Sequence, residues 1–176
     1  KFAQLNKEFF GRGFKLAYLS RLDIPKGTVE SGLINNPAGL VFTLKKLSTR
    51  YDIRYAHATL PEEQAYLFTT TIDRVAPEGL RDAVAFIIEE NAPVSLADSI
   101  FDFEIIDEDE SANKIKLAVS VIPRSIVSAY VEAFESAGIV PISFDIESQA
   151  IARAVIHRGD KRSHLIVNLL AQKSGL

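Results

Sequence analysis

The sequence contains no cysteine, no methionine and no tryptophan among its 176 residues. Without cysteine, the fold cannot depend on a disulfide framework or on a thiolate zinc site, and this absence fits a cytosolic protein. The lack of methionine, including an initiator, is unusual at this length. We therefore expect either a partial chain or a sequence from which modified methionines have been left out.

The chain also lacks a large excess of either sign of charge, since 20 basic and 23 acidic side chains give a net charge of -3. Without a globally basic surface, nucleic acid is not an expected partner. No apolar run is long enough to span a bilayer, so we predict no direct membrane insertion. A composition with 47% hydrophobic and 24% charged residues is typical of a globular chain with a substantial core.

Sequence motifs of common enzymes are missing as well. The chain has no Walker motif, no G-x-G-x-x-G and no G-x-S-x-G. His57, His157 and His164 are scattered without metal-ligand spacing, so we predict no metal site, and we interpret His57 as a solvent-facing or packed strand residue. The acidic run 102–110 lacks the glycine and bidentate glutamate of a calcium loop and predicts a solvated hairpin tip. Nothing in these residues independently indicates an enzyme.

What the sequence does contain is an alternation of short strands and amphipathic helices, which predicts an α/β fold. Residues 1–12 give no clear pattern, and the glycines of 11–13 predict a turn. Helices are predicted from Pro37 to about residue 49, from Pro77 to about residue 90, from Ser125 to a C-cap at Gly138, and from Glu147 onward. Strands are predicted over 14–24, 54–60, 66–72, 100–106, 114–122 and 142–146, the first of them half-buried.

Residues 62–123 read as a strand, a helix and two further strands. We predict that they are inserted into a larger α/β domain formed by residues 1–61 and 124–176. The first hairpin strand carries Phe101, Phe103 and Ile105 at alternating positions. If that strand lies at a sheet edge, it can accept an extended peptide, and these residues would line the binding groove. The alternative is that the three side chains belong to the core.

A strand-to-helix corner lies at 140–156. The helix is predicted to begin at Glu147-Ser148, with Ser148 suited to the N-cap and Glu147 to the positive end of the helix dipole. A carboxylate at such a corner either caps the helix or forms part of a phosphate site. The local pattern favours the cap, since corners of this kind occur throughout α/β folds.

Three segments, in their order and spacing, resemble the PilM family of actin-like proteins of bacterial type IV pilus assembly, relatives of the cell-division protein FtsA. They are LDIPKGTVESGLINNPAGLVFTLKKL (22–47), LPEEQAYLFTTTIDRVAPEGLRDAVAFIIEENAPVSLADSIFDFEII (60–106) and IPRSIVSAYVEAFESAGIVPISFDIESQAIARAVI (122–156). The resemblance implies part of an actin/Hsp70-like ATPase core with an inserted strand-helix-strand-strand subdomain of the SHS2 type.

The resemblance also implies a function. It predicts a cytoplasmic scaffold of type IV pilus biogenesis that lies at the inner membrane through its partner. That partner would be the cytoplasmic N-terminal tail of a PilN-like inner-membrane protein, bound in a groove near the inserted subdomain, with other pilus machinery proteins as further partners. The alternatives are an actin-like ATP-binding protein or ATPase and an FtsA-like division or competence protein.

For the nucleotide site, the resemblance places Glu147 in the first connecting motif, where it would order water and Mg²⁺ around ATP. Asn168 stands where the second phosphate loop has an aspartate, and Leu170 stands where it has a glycine. The first phosphate hairpin, expected before residue 14, is missing. We therefore predict a scaffold without hydrolytic activity, in which Glu147 is a catalytic residue only under the ATPase alternative, and any ATP and Mg²⁺ would be bound by the full-length protein.

Overall fold

A computed structural model describes residues 1–7, 13–157, 159–160, 162–169 and 174–175. Two one-turn 3-10 helices, Glu62–Gln64 and Pro77–Gly79, accompany the longer elements. In chain order those elements are β1 (Phe2–Lys7), β2 (Phe14–Ser20), β3 (Val29–Glu30), β4 (Leu33–Ile34), α1 (Pro37–Tyr51), β5 (Tyr55–Leu60), β6 (Tyr66–Asp73), α2 (Leu80–Asn91), β7 (Ser99–Asp109), β8 (Lys114–Pro123), α3 (Arg124–Ser136), β9 (Val140–Ile146), α4 (Glu147–Val155), β10 (Asn168–Leu169) and β11 (Ser174–Gly175).

The first strand was not predicted from the sequence. Residues 2–7 form β1, which pairs antiparallel with β2. Its apolar residues Phe2 and Leu5 are three positions apart in the sequence instead of two. The segment therefore lacks the alternation by which a strand is recognised. The register of the pair shifts opposite Gln4 and Leu5, where Ala17 of β2 is left without a partner. The turn predicted at 11–13 lies largely outside the described residues.

The strand predicted over 14–24 ends earlier, at Ser20, and the prediction that it is half-buried was wrong for most of its length. Phe14 is 68% exposed and Leu19 is 71% exposed. The hairpin of β1 and β2 is held to the end of α1 by aromatic contacts. The rings of Phe2 and Tyr18 meet the ring of Tyr51 edge-on, with centroids 4.6 and 5.4 Å apart.

Helix α1 begins as predicted at Pro37, where a proline costs no hydrogen bond. The Asn36 side chain accepts a hydrogen bond from the Gly39 backbone N–H at 3.0 Å, which caps the N-terminus. Leu40 and Thr43 are buried on the side that packs against α3. The helix ends at Asp52 in the left-handed conformation.

Strands β5 and β9 are parallel neighbours, although residues 61–139 separate them in sequence. Tyr55 pairs with Val140 and Leu60 pairs with Ile146. The chain therefore leaves one strand, forms β6 to α3, and returns beside the strand it left. This topology is compatible with an inserted unit, while the predicted domain boundaries at residues 61 and 124 remain predictions.

Elements β6, α2, β7 and β8 follow the predicted order of strand, helix, strand and strand. The three strands form an antiparallel sheet in the order β6–β8–β7. Because side chains alternate along a strand, every second residue of β8 points to α2 and is buried. That this unit is an SHS2-type subdomain remains a prediction. The core between sheet and helix contains Ile72, Leu80, Val84, Ile88, Ile115, Leu117, Val119 and Val121.

The tight turn between β3 and β4 joins three parts of the fold. Gly32 has a φ of +81°, and a Cβ at this position would lie 2.6 Å from the Pro61 side chain. The Gln64 side-chain amide donates a hydrogen bond to the carbonyl of Ser31 at 2.8 Å, and the Tyr130 hydroxyl donates to the carbonyl of Gly32 at 3.2 Å. The turn thereby fixes the segment that leads into β6 against α3.

Substitution Gly32→Ala should lower the free energy of unfolding by about 2–3 kcal/mol, because alanine combines a positive φ with a clash against Pro61. The matched control is Gly79→Ala, whose added Cβ has no atom within 4 Å. We expect the control to change stability by less than about 1 kcal/mol. Urea denaturation followed by circular dichroism measures both, and equal losses would contradict the role given to this turn.

Candidate functional site

A groove with a volume of about 290 Å³ lies between the three-stranded sheet and the corner of β9 and α4. It lies on the face of the sheet opposite to α2. One wall is the sheet and the other is the corner of β9 and α4, so both walls are regular secondary structure. The floor between them is largely apolar. Its lining residues are Leu60, Ile100, Phe101, Asp102, Phe103, Glu104, Ala118, Ser120, Ile122, Val127, Phe144, Asp145, Ile146, Gln149 and Arg153.

The sheet wall of the groove is built by the face of β7 and β8 that the core leaves free. Ile100 pairs with Ile122, Asp102 with Ser120, and Glu104 with Ala118. Residues that pair across two strands share a face of the sheet. Along this face, the apolar pair of Ile100 and Ile122 is followed by two pairs whose β7 member, Asp102 or Glu104, is a carboxylate. Asp102 and Glu104 are exposed. This wall is apolar at one end and acidic along its rim.

The opposite wall is held in place by hydrogen bonds. The Gln149 side-chain amide on α4 donates to the Ser120 hydroxyl on β8 at 2.7 Å, which links the two walls directly. Arg153 donates to both carboxylate oxygens of Asp145 at 3.2 Å. The ring of Phe144 packs edge-on against the ring of Phe134, with centroids 5.9 Å apart. These contacts give the groove a defined shape without a ligand.

Strand β7 is an edge strand, because among the strands that the structure describes it pairs with β8 alone. Its register is regular from Ser99 to Ile105 and shifts between Ile105 and Asp107. A bulge of this kind disturbs pairing at one end of an edge. The regular part adjoins the groove and has no second strand beside it, and strand addition needs such an edge. Two of its backbone groups already have side-chain partners: the Phe103 N–H donates to the Asp102 carboxylate, and the Ser99 carbonyl accepts from Arg124.

Of the three residues predicted to line a partner groove, two contribute to the observed groove and one does not. Phe101 and Phe103 contribute to the groove lining, but both share the α2 face of the sheet and pack partly buried against its core. The Phe101 ring also lies 4.4 Å from the Arg81 guanidinium. Ile105 is 47% exposed and is not among the lining residues. The role of all three in partner binding remains a prediction.

Sequence reasoning missed the lining residues Ile100, Asp102 and Glu104. Their signal was present in the alternation of β7, since the positions between Phe101, Phe103 and Ile105 must point to the other face. From the sequence, Asp102 and Glu104 were instead assigned to the acidic run of a solvated hairpin tip. That other face forms the wall of the groove.

The corner at 140–156 has the predicted strand and helix, but Ser148 is not the N-cap. Ile146 occupies the cap position without a side-chain hydrogen bond, and the helix begins at Glu147. The buried Ser148 hydroxyl has no hydrogen-bond partner in the described part of the chain. Glu147 lies in the first turn, as predicted, where its negative charge interacts favourably with the positive end of the helix dipole.

The predicted nucleotide residues offer a poor donor set for a Mg²⁺–nucleotide complex. Glu147 supplies one carboxylate, whereas Asn168, half-buried in β10, supplies a neutral amide. Leu170 lies outside the described residues. Among the residues that are described, no group of three histidine, cysteine or acidic side chains could hold a metal ion. Since Mg²⁺ bound to phosphates prefers carboxylate ligands, these two positions do not fit the ion on their own.

The acidic run is exposed, but only its end forms the predicted hairpin tip. Asp102 and Glu104 lie within β7, which continues to Asp109, and they line the groove. At the tip, the Ser111 hydroxyl and the Ala112 backbone N–H hydrogen-bond to Asp109 and lower the pKa of its carboxyl. Arg74, which follows β6, pairs with Glu108 across the sheet. The carboxylates of Glu108 and Asp109 therefore have partners.

The three histidines do not come together in the structure. His57 is exposed, and its Nδ1 lies 2.7 Å from the Ser143 hydroxyl on the neighbouring strand. His164 Nε2 lies 3.3 Å from the Asp160 carboxylate, which also accepts hydrogen bonds from Arg162. The Arg162 side chain and backbone N–H lower the pKa of Asp160 to about 2. This cluster is an ion-pair network.

The fold and groove define an α/β protein with a free strand edge beside a preformed cleft. Comparison with solved structures finds similarity to the protein of a "PilM-PilN type IV pilus biogenesis complex", with a TM-score of 0.75 and 21% identity over 86% of this chain and 45% of that one. The predicted resemblance to a PilM-type protein is thus confirmed at the level of the fold. The chain spans less than half the length of that protein.

A second solved structure is the cytoplasmic domain of EpsL, an inner-membrane component of the type II secretion system of Vibrio cholerae. Its TM-score is 0.46 at 14% identity, over 59% of this chain and 42% of that one. A TM-score this low does not establish a shared fold. No protein-family model and no curated protein matches the sequence. No helix in the described ranges is long and apolar enough to cross a bilayer.

Substitution Arg162→Ala should raise the pKa of Asp160 from about 2 toward its ordinary value of 3.8, because the largest source of the shift is removed. In the unsubstituted protein, the stability that this pair contributes should be present above pH 3.8 and lost as the pH falls toward 2. NMR titration of the carboxyl carbon measures the pKa. The control Arg21→Ala, at a separate ion pair, should leave Asp160 unchanged.

Proposed function

We propose that this chain belongs to a cytoplasmic scaffold of type IV pilus biogenesis that binds the cytoplasmic N-terminal tail of a PilN-like inner-membrane protein. The observation that carries the proposal is the preformed groove beside the free edge of β7. The fold likeness to the protein of a PilM–PilN complex supports the choice of partner. Holding such a tail would keep the scaffold at the inner membrane, where other pilus machinery proteins could assemble on it.

Binding by strand addition follows from the geometry of the edge. An extended tail would hydrogen-bond to the backbone of β7 between Phe101 and Ile105, where it would replace the Asp102 carboxylate as the partner of the Phe103 N–H. Its side chains would point alternately toward and away from the groove. The inward side chains would contact the apolar floor formed by Ile100, Ile122 and Phe144. The backbone contacts supply affinity, and the floor selects apolar residues at every second position.

The rim of the groove adds a preference of charge. Asp102 and Glu104 are exposed on the outer strand, and Arg153 on the opposite wall is already paired with Asp145. A basic side chain in the tail would therefore meet two carboxylates and no free cation among these lining residues. The preferred segment alternates apolar residues with at least one lysine or arginine.

Titration calorimetry of this chain with the tail peptide of the PilN-like protein from the same organism tests the proposal. We expect micromolar binding, and the double substitution Asp102→Lys and Glu104→Lys should weaken it by at least about tenfold, because the rim then repels the basic residue. The control with the same change in net charge is Glu89→Lys and Glu90→Lys, on exposed positions of α2 across the sheet.

Absence of binding at high micromolar peptide concentration would refute the proposal. An equal loss of affinity in the α2 control would also contradict it, since the effect would then reflect net charge and not the groove. Circular dichroism of each variant separates loss of binding from loss of fold.

ATP binding without hydrolysis is the second candidate. It is favoured by Glu147, which begins α4 at the carboxyl end of the parallel strand β9, the end where α/β sheets bind their ligands. Phosphate release and binding of a fluorescent ATP analogue, measured on the full-length protein, distinguish the candidates. Release of phosphate from ATP would favour the ATPase. Absence of analogue binding would exclude both ATP binding and ATP hydrolysis.

A further inference from the structure

One face of α1 carries an exposed aromatic ring followed by three cations. These residues recur at three- and four-residue spacing, so they share one side of the helix. All five are exposed, and together they form one shallow surface, whereas the opposite side of α1 packs against α3. We call this surface the basic face of α1; it consists of Phe42, Lys45, Lys46, Thr49 and Arg50.

The charge of this face has no acidic partner among the residues that the structure describes. Within the described ranges, no carboxylate lies at salt-bridge distance from Lys45, Lys46 or Arg50. The nearest carboxylate along the chain, that of Asp52, pairs with Arg54 at 3.5 Å. In a chain of net charge -3, the face is therefore a local concentration of positive charge.

Phe42 gives the face an apolar residue at its N-terminal end. Its side chain is 62% exposed, and the Lys46 ammonium lies 5.3 Å from the ring centroid. At the other end, the Arg50 guanidinium lies 5.4 Å from the centroid of the Tyr51 ring. An exposed aromatic ring on the same helix face as several cations is an arrangement by which peripheral helices contact lipid headgroups, since the ring enters the interface while the cations meet phosphates.

We infer that the basic face of α1 binds the surface of a membrane containing anionic phospholipid. The inference rests on the proposed function in one respect, because a scaffold held by the tail of an inner-membrane protein lies beside such a surface. The other source of negative charge is the acidic hairpin tip of a second copy. That source is less favoured, because several tip carboxylates already have partners and Phe42 has no role against a solvated tip.

The basic face of α1 is expected to make a modest contribution to membrane binding, which adds to that of the PilN-like tail. Each lysine or arginine near an anionic surface contributes about a fivefold gain in partitioning, so three contribute about 100-fold. Burial of the Phe42 ring adds about tenfold. Contacts of this strength fix the orientation of a tethered scaffold without inserting it into the bilayer.

Sedimentation with vesicles tests the inference on the intact chain. One set of vesicles is phosphatidylcholine alone, and the other contains an equal part of phosphatidylglycerol. We expect binding to the anionic vesicles only, weakened about 100-fold by the triple substitution Lys45→Gln, Lys46→Gln and Arg50→Gln. Phe42→Ala should weaken binding about tenfold while its salt dependence is unchanged.

The matched control neutralises three other exposed lysines, with Lys7→Gln, Lys15→Gln and Lys26→Gln, and should retain binding within about threefold. Equal binding to both vesicles, no binding at low ionic strength, or an equal loss in this control would each overturn the inference. A loss of self-association in the α1 triple variant, seen by analytical ultracentrifugation without any vesicle binding, would assign the face to a second copy instead.

The tail-peptide titration separates this inference from the proposed function. The α1 triple variant should bind the peptide as tightly as the unsubstituted chain. If the unsubstituted chain binds the peptide but not the anionic vesicles, the lipid contact alone fails. If it binds the vesicles but not the peptide, the tail proposal alone fails.

Discussion

The alternation of side chains along β8 is the constraint on which the rest of the structure depends. As the central strand, β8 buries Ile115, Leu117 and Val119 against α2, so the residues between them must face the other way. That second face carries Ala118 and Ser120, small side chains that leave room beside the sheet. The groove is therefore the other side of a well-packed core, and a change of register in β8 would destroy both.

Two surfaces of opposite charge follow from this architecture, although the net charge of the chain is small. The groove has an acidic rim on β7, and α1 has a basic face on the side away from α3. If the rim selects a basic tail and the basic face meets anionic lipid, the two contacts use different charges and do not compete. Net charge alone would have suggested neither surface, since it averages over both.

Much of the fold could be predicted because its strands and helices have regular periods and clear turn residues. Pro37 marked the start of α1 correctly, and the order of β6, α2, β7 and β8 was predicted. Pro77 begins a 3-10 turn three residues before α2, and Gly138, with a φ of +76°, directly follows Ala137, the C-cap of α3. Strand β1 was not recognised because its apolar residues Phe2 and Leu5 do not alternate.

The groove could not be predicted residue by residue. Its walls come from segments far apart in sequence, and the link between Gln149 and Ser120 has no local signal. Sequence pattern indicated the helix corner but misplaced its cap at Ser148, because an N-cap depends on the backbone conformation at Ile146.

The turn at Gly32 has a consequence for how a ligand would be received. Pro61, Gln64 and Tyr130 close on it from three directions, so the segment entering β6 has little freedom relative to α3. The groove is consequently set before any partner arrives, and the conformational entropy lost on binding falls almost entirely on the partner. A tail already extended in solution would lose less of that entropy than a flexible one and would therefore bind more tightly.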